Sequence, residues 1–150
     1  MLKVSRRRGK RVSDGKWVYG RYGCVLVGVS IDKENDKCIY NYKHFIEGWE
    51  QDVAVPSKKS CIKHEIIPET VGEFSGEIDK NGREIYTGDI VTGIRDEFGM
   101  PSDNIRAEVY CRDGIFYESY TGSSLSSHRS SKGTCLAVIG NKFDNQELLG

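Results

Sequence analysis

The sequence lacks any apolar run long enough to cross a membrane, which takes about 18 consecutive apolar residues. Its most apolar segment, Cys24–Val29, is broken by Gly28 and leads into a charged stretch. The segment also lies too far from the start for a secretory signal and has no small-residue cleavage site. We interpret it as a strand and expect a soluble, cytoplasmic protein.

Net charge is also absent, because 22 basic residues balance 22 acidic ones. No overall field therefore favours nucleic acid or an anionic membrane, and an electrostatic function would require a local cluster. There is no Cys-x-x-Cys motif either, which argues against zinc binding and dithiol redox chemistry. We expect free, buried thiols in a reducing compartment. The five cysteines are Cys24, Cys38, Cys61, Cys111 and Cys135.

Glycine and tyrosine are abundant, with 17 and 8 residues, whereas proline is limited to 3. Because long apolar stripes at helical spacing are few, this composition favours many short strands and turns. A chain of 150 residues suffices for one domain or two small lobes without a disulfide or a metal.

The most specific local pattern is Asn81-Gly82 between two apolar runs, since both residues tolerate the positive φ angles of a type I′ turn. It predicts a hairpin that joins a strand near Val71–Ile78 to one near Glu84–Val91. Within the second arm, Thr87-Gly88-Asp89 predicts a bulge or tight bend in which the aspartate hydrogen-bonds nearby backbone. This segment specifies a backbone shape and shows no catalytic pattern.

The turn and the bend, with the residues around them, resemble the YopX family of phage and prophage proteins. Three further stretches agree with the family: Trp17–Gly20, residues 108–116 with Asp113-Gly114, and Val138–Asn141 followed by Asp144–Leu149. The positions that match the family motif, all interpreted as structural, are Gly72, Gly76, Asn81, Gly82, Gly88, Asp89, Gly140 and Asn141.

Two features depart from the family pattern. The chain opens with an arginine-rich lead, and Gln146 stands where the family often has proline. The resemblance implies a small, oligomeric, β-rich protein encoded in a mobile element of a bacterial host. It implies no established biochemical activity and supplies no functional residues.

We expect an all-β fold with two small contiguous β lobes and at most short helical turns. The predicted parts are a basic N-terminal arm (1–14), an N-terminal β lobe (15–66) and a C-terminal YopX-like lobe (67–150), the last a strongly bent, barrel-like sheet. The lobes alternatively form one compact domain.

Alternation in the N-terminal lobe predicts two paired strands with a shared apolar face. On this interpretation Tyr40 and Tyr42 pack in the core, whereas Asn41 and Lys43 meet solvent. The predicted apolar sets are Val25, Val27, Val29 and Ile31 on one strand, and Cys38, Tyr40, Tyr42, His44 and Ile46 on the other. Alternatively, Tyr40, Tyr42 and Trp49 form a platform on which single-stranded nucleic acid stacks.

One charge cluster stands out, a set of six cations close to the N-terminus. Such a segment binds several phosphates when it is a flexible arm, but it is also common as a solvated terminus or as an arm that pairs with an acidic surface on a neighbouring subunit. The candidate contacts for nucleic acid are Lys3, Arg6, Arg7, Arg8, Lys10 and Arg11.

No residue pattern indicates catalysis, a metal or a cofactor. The histidines, His44, His64 and His128, do not fall in a ligand spacing. Ser124, Ser126 and Ser127 lie in Thr121–Gly133, a serine-rich stretch predicted to be a flexible loop without support for a nucleophile. The carboxylates Asp79, Glu84 and Asp89 are separated by turns.

The function favoured by the sequence is a non-enzymatic, homo-oligomeric protein-interaction module. The alternative is a nucleic-acid-binding module that uses the basic arm. An enzyme is the least favoured class, and no membrane association is expected.

Overall fold

The computed structural model describes residues 6–51, 59–131 and 133–150. The chain divides into two compact units, residues 1–71 and 72–150, where the sequence predicted a boundary after residue 66. Strands dominate both units, which confirms the predicted all-β class. Helical structure in the described ranges is limited to the 3-10 turns Pro68–Thr70, Leu125–His128 and Gln146–Leu149.

The first unit contains an antiparallel sheet in the order β4-β3-β2-β1. Its strands are β1 (Arg7–Lys10), β2 (Trp17–Asp32), β3 (Lys37–Gln51) and β4 (Lys59–Glu65). Residues 7–10 of the predicted basic arm therefore lie in a strand. β1 pairs with the first four residues of β2, Trp17–Gly20, and β4 pairs with β3 from Phe45 onward. Beyond these contacts, β2 and β3 continue as a two-stranded ribbon, residues 24–44, which closes through the turn between Asp32 and Lys37.

A β-bulge changes the pairing in the middle of this ribbon. Leu26 lies opposite Tyr42, but Gly28 lies opposite Asn41, so Val27 is the extra residue. Directly opposed residues share a face, and the shift therefore places Val29 with Leu26 on the side of the tyrosines. The prediction that Val25, Val27, Val29 and Ile31 form one face is wrong, because strict alternation is broken at the bulge.

The second unit is built from short strands. They are β5 (Gly72–Ile78), β6 (Glu84–Tyr86), β7 (Asp89–Thr92), β8 (Ile94–Arg95), β9 (Pro101–Ser102), β10 (Ala107–Arg112), β11 (Ile115–Glu118), β12 (Arg129–Ser130), β13 (Gly133–Thr134) and β14 (Ala137–Asn141). A four-stranded sheet has the order β11-β10-β7-β14; β5 also pairs with β6, and β8-β9 and β12-β13 form two-stranded sheets. The core comprises Ile85, Val91, Ile94, Ala107, Val109, Leu125, Leu136 and Val138.

The predicted barrel-like sheet is not realised as a closed barrel. Within the described ranges, β11 and β14 lie at the two edges of the four-stranded sheet and do not pair with each other. The strands are also short, two to six residues apart from β5, and β8-β9 and β12-β13 form only two-stranded sheets. Closure would require a continuous ladder around the sheet.

The hairpin predicted around Asn81-Gly82 is confirmed, since Phe74 pairs with Tyr86 and Ile78 with Glu84. The predicted type I′ turn is wrong. Gly82 has a φ of 85°, but Asn81 is absent from the described non-glycine residues with positive φ. A type I′ turn instead joins β10 to β11, where Asp113 and Gly114 have φ angles of 53° and 79°.

Asp79 explains the difference between the two turns. It is fully buried, and its carboxylate accepts hydrogen bonds from the backbone N–H groups of Asn81 (2.9 Å), Arg83 (2.8 Å) and Val138 (3.0 Å). The Gly82 N–H donates to the Asp79 carbonyl at 3.1 Å. The turn thus forms around one carboxylate, which stabilises a conformation that needs positive φ only at the glycine.

The bend predicted at Thr87-Gly88-Asp89 is confirmed. Gly88 has a φ of 89°, and the Asp89 carboxylate accepts a hydrogen bond of 2.8 Å from the Tyr86 N–H. Asp89 is itself buried. Its side chain therefore stabilises the bend between β6 and β7.

The remaining family positions also shape backbone. Gly72 begins β5 and is buried, and Gly76, with a φ of 82°, lies within the register shift of the β5-β6 pair. A Cβ at Gly140 would lie 2.5 Å from the Asn145 side-chain oxygen. That oxygen accepts a hydrogen bond from the Asn141 N–H at 3.2 Å, so Gly140 is required for close approach in the closing turn.

Candidate interaction surface

One face of the ribbon is apolar and exposed along its length. The bulge and the register of β2 and β3 place seven side chains together: Cys24, Leu26, Val29, Ile31, Cys38, Tyr40 and Tyr42. We name this set the tyrosine face. All seven residues are exposed, with Ile31 at 66% and Tyr40 at 56%, and none carries a formal charge.

The tyrosine face continues from the small core of the first unit. Ile46, on the same side of β3, is fully buried, and His44 is half-buried, whereas Tyr42 is 51% exposed. At the transition, the Tyr22 hydroxyl shares a hydrogen bond with His44 Nδ1, and the two rings stack with centroids 5.8 Å apart. Partial burial raises the pKa of Tyr22. The Tyr22–His44 contact therefore links β2 and β3 at the point where the ribbon begins.

The opposite face of the ribbon is mixed in character. Asn41 and Lys43 are exposed there, as the sequence predicted. Ser30 also lies on this side, paired with Ile39, and Val25 lies opposite Lys43. Polar side chains interrupt the apolar ones, which is typical of a face in contact with water.

The prediction that Tyr40 and Tyr42 pack in a core is wrong for this chain, because about half of each side chain is exposed. Alternation identifies an apolar face, but it does not reveal what covers that face. The side chain of Trp49, the third member of the alternative stacking platform, lies outside the described residues.

The basic cluster is largely engaged within the first unit. The Arg8 guanidinium lies 4.7 Å from the centre of the Trp17 ring, and Arg8 is only 6% exposed. The Lys10 ammonium lies 5.5 Å from the same ring, and Arg7 lies 5.6 Å from the ring of Tyr22. These cations contribute to packing through cation–π contacts.

The other basic residues differ in their surroundings. Arg11 forms an ion pair with Asp14, and this hydrogen-bonded guanidinium lowers the pKa of the Asp14 carboxyl. Arg6 is exposed, and Lys3 lies outside the described residues. A set that the sequence presented as one flexible arm is thus divided between a strand, an ion pair and an exposed position.

The predicted flexible loop Thr121–Gly133 is wrong as a description of its centre, since a 3-10 turn there buries Leu125 and His128. His128 lies beside the fully buried Glu118, with Nε2 3.8 Å from Oε1. Glu118 accepts hydrogen bonds from the backbone N–H groups of Tyr120 (3.0 Å) and Thr121 (3.1 Å). Sequence reasoning missed this pair, because neither residue belongs to a motif.

The serines of this segment do not form a catalytic arrangement with His128. Ser124 and Ser126 share a hydrogen bond of 3.0 Å, and the Ser127 hydroxyl donates to the Ser124 carbonyl at 2.6 Å. Both ring nitrogens of His128 are buried without a hydrogen-bond partner in the described structure. A nucleophile requires a base in hydrogen-bond contact, which these serines lack.

His128 predicts a pH dependence of stability. Burial lowers its pKa below the usual 6.5 and Arg95 adds to this, while Glu118 opposes the shift. As pH falls, the unfolded state therefore binds the proton first, and the stability present at neutral pH is lost below the unfolded pKa. We expect the urea midpoint to fall between about pH 7.5 and pH 5.5, and to fall less in His128→Gln. Equal pH slopes in the two proteins would contradict this assignment.

The expectation of buried thiols is wrong for three cysteines. Cys24, Cys38 and Cys111 are exposed, and Cys135 is half-buried. The side chain of Cys61 lies outside the described residues. Across the described ranges, no group of three or more histidine, cysteine, aspartate or glutamate residues is placed to hold a metal ion. The described helical turns are also too short and too polar to span a membrane.

Comparisons with known proteins identify a family and a similar fold. The family model described as YopX protein matches residues 8–150, which confirms the resemblance found in the motifs. The crystal structure of protein EF1440 from Enterococcus faecalis is similar with a TM-score of 0.51 and 18% sequence identity, covering 99% of this chain and 100% of that one. At this identity the likeness concerns the fold alone. No curated protein shows significant sequence similarity.

Proposed function

The chain belongs to the YopX family, and on that premise we propose that it is a non-enzymatic interaction module that assembles with copies of itself. The observation that carries the proposal is the ribbon of residues 24–44, whose large apolar side chains are exposed. A prophage origin and a cytoplasmic location in a bacterial host belong to the same proposal. The family motif supports the first, and the free cysteines support the second.

The physical reason is that a lone two-stranded ribbon is marginally stable in water. Among the described residues, β1 pairs with β2 only up to Gly20, and β4 pairs with β3 only from Phe45. The ribbon between them gains no ladder from these neighbours. Exposed apolar patches beyond about 300–600 Å² mark interaction sites in soluble proteins. Association through the ribbon would cover the apolar residues and stabilise the strands together.

The absence of enzymatic activity is part of the proposal and is supported by the roles of the buried carboxylates. Asp79, Asp89 and Glu118 each accept hydrogen bonds from nearby backbone N–H groups. Such groups serve as turn caps. They are engaged in maintaining the fold rather than directed together at a substrate.

A shortened ribbon tests the proposal. Deletion of Gly28–Ile31 together with Cys38–Asn41 removes four opposed pairs and keeps the turn. We expect the wild-type protein to be oligomeric at micromolar concentration by light scattering and analytical ultracentrifugation, and the shortened protein to be monomeric. The association should be lost at this concentration because four of the seven residues of the tyrosine face are removed.

The matched control is Phe98→Ser with Met100→Ser. These residues are 82% and 63% exposed in the β8-β9 turn, so the double variant removes exposed apolar surface outside the ribbon. It should keep the wild-type mass. A monomeric wild-type protein, or a shortened protein that retains the oligomer, would rule the proposal out.

A further inference from the structure

Building on the proposed self-assembly, we infer that the tyrosine face is the surface through which two copies of this chain meet, face against face. The occupant of the face is thus the tyrosine face of a second copy. The opposite face of the ribbon stays in solvent. The two ribbons then pack as one sheet on another, and the tyrosine faces, which are exposed in the single chain, form the core between them.

The contrast between the two sides of the ribbon selects the face. Leu26, Val29 and Ile31 lie opposite Tyr42, Tyr40 and Cys38, so apolar residues form both rows of the tyrosine face. On the other side, Val25 lies opposite Lys43 and Ile39 lies opposite Ser30. An antiparallel ribbon with one apolar and one mixed side is typical of a sheet that packs on one face only.

Charge indicates that the partner is a like surface. The tyrosine face contains aliphatic, aromatic and thiol side chains and no formal charge, so two copies meet without repulsion and without burying an unpaired ion. A two-fold contact places the same patch on both subunits and therefore requires a self-complementary surface. The tyrosines suit this arrangement, because their rings bury while their hydroxyls reach water at the rim.

The face also continues a core that is small in the single chain. Among the described side chains of the first unit, the fully buried large apolar residues are Ile46 and Ile66. Ile46 lies on the same side of β3 as Tyr42 and Tyr40. Packing of a second tyrosine face would extend this core outward along the ribbon.

The area agrees with a specific dimer. Five large residues of the face, Leu26, Val29, Ile31, Tyr40 and Tyr42, are each about half exposed. At roughly 100 Å² for each half-exposed large side chain, the face presents on the order of 500 Å². Two copies would together bury about 1,000 Å², which is about the minimum for a specific interface. Cys24 and Cys38 add to this area.

Two single substitutions separate the faces. Val29→Glu places a charge on the tyrosine face, and Val25→Glu makes the same change on the opposite face of the same strand, at similar exposure (56% and 46%). We expect V29E to weaken self-association by roughly 100-fold or more, since it buries like charges in the contact. V25E should remain close to wild type. Both changes lie at exposed positions, so circular dichroism should show that both variants are folded.

The native cysteines supply an independent measurement. Cys24 and Cys38 belong to the tyrosine face, whereas Cys111 is an exposed thiol of the second unit. Maleimide labelling, followed by peptide mass spectrometry, should slow at Cys24 and Cys38 when the protein concentration is raised into the assembled range. Labelling of Cys111 should not change. In V29E, the first two thiols should label quickly at every concentration.

The outcomes distinguish this inference from the function on which it rests. If the shortened ribbon is monomeric but V29E assembles like wild type, the ribbon associates by another surface and the inference is overturned. Dissociation of V25E instead of V29E, or labelling of Cys24 and Cys38 that ignores concentration, would also overturn it. A wild-type monomer would refute the proposed function itself.

Discussion

Asp79→Ala is expected to lower the free energy of unfolding by about 3–5 kcal/mol, because three backbone N–H groups, one of them buried, lose their acceptor at once. The donors belong to Asn81, Arg83 and Val138, so the change affects both the β5-β6 turn and the start of β14. Urea titration followed by circular dichroism measures the effect. We expect the urea midpoint to fall, because both the β5-β6 turn and β14 in the second unit are destabilised.

Asp103→Ala is the matched control. This carboxylate is 81% exposed and lies 3.9 Å from the Lys80 ammonium, so its removal should change stability by less than about 0.5 kcal/mol. Asp79→Asn keeps one acceptor oxygen and should give an intermediate loss. Should D79A unfold at the wild-type urea concentration, Asp79 would not be the group that holds this turn.

Arg8→Ala is expected to cost about 2–4 kcal/mol, combining the loss of a desolvated cation–π contact with the loss of packing along the arginine stem. Arg8 is 6% exposed and lies over the Trp17 ring, which places it in the interior of the first unit. Thermal and urea unfolding would measure the change. Arg6→Ala, at an exposed position, serves as the control and should remain within about 0.5 kcal/mol of wild type.

This difference bears on the alternative function in nucleic-acid binding. Joint replacement of Arg6, Arg7 and Arg8 would disturb the fold, and a loss of DNA binding could not then be assigned to lost phosphate contacts. Arg6→Ala alone separates the two effects. A salt-dependent loss of DNA affinity in folded R6A would favour the nucleic-acid function, whereas a stable R8A would contradict the packing role assigned to Arg8.

Local sequence signals predicted several elements correctly where the chemistry of a few adjacent residues decides the backbone. The Gly88-Asp89 bend is an example, because glycine conformation and aspartate hydrogen bonding act within a few residues. The Asn81-Gly82 turn type was predicted wrongly. There the deciding group is Asp79, whose third hydrogen bond comes from Val138, 59 residues away.

The serine-rich stretch shows the same limit. Its composition is typical of a mobile loop, but Leu125 packs into the core and His128 lies beside Glu118. The burial of single residues in a polar segment depends on contacts distant in sequence, which composition does not report. The bulge at Val27 differs, because it has a local signal: Gly28 follows it, and an isolated glycine in a strand pattern indicates a bulge.

For the ribbon, the sequence by itself determined that two adjacent strands each carry an apolar row. The row of the second strand contains two tyrosines, two positions apart. Alternation and strand propensity are local properties, and they were sufficient for this. Only the tertiary structure decided which valines join that row and that the row is exposed in the single chain. The reason is physical: a pattern specifies that a surface avoids water, but the partner that covers it is determined by packing between elements, or between copies of the chain.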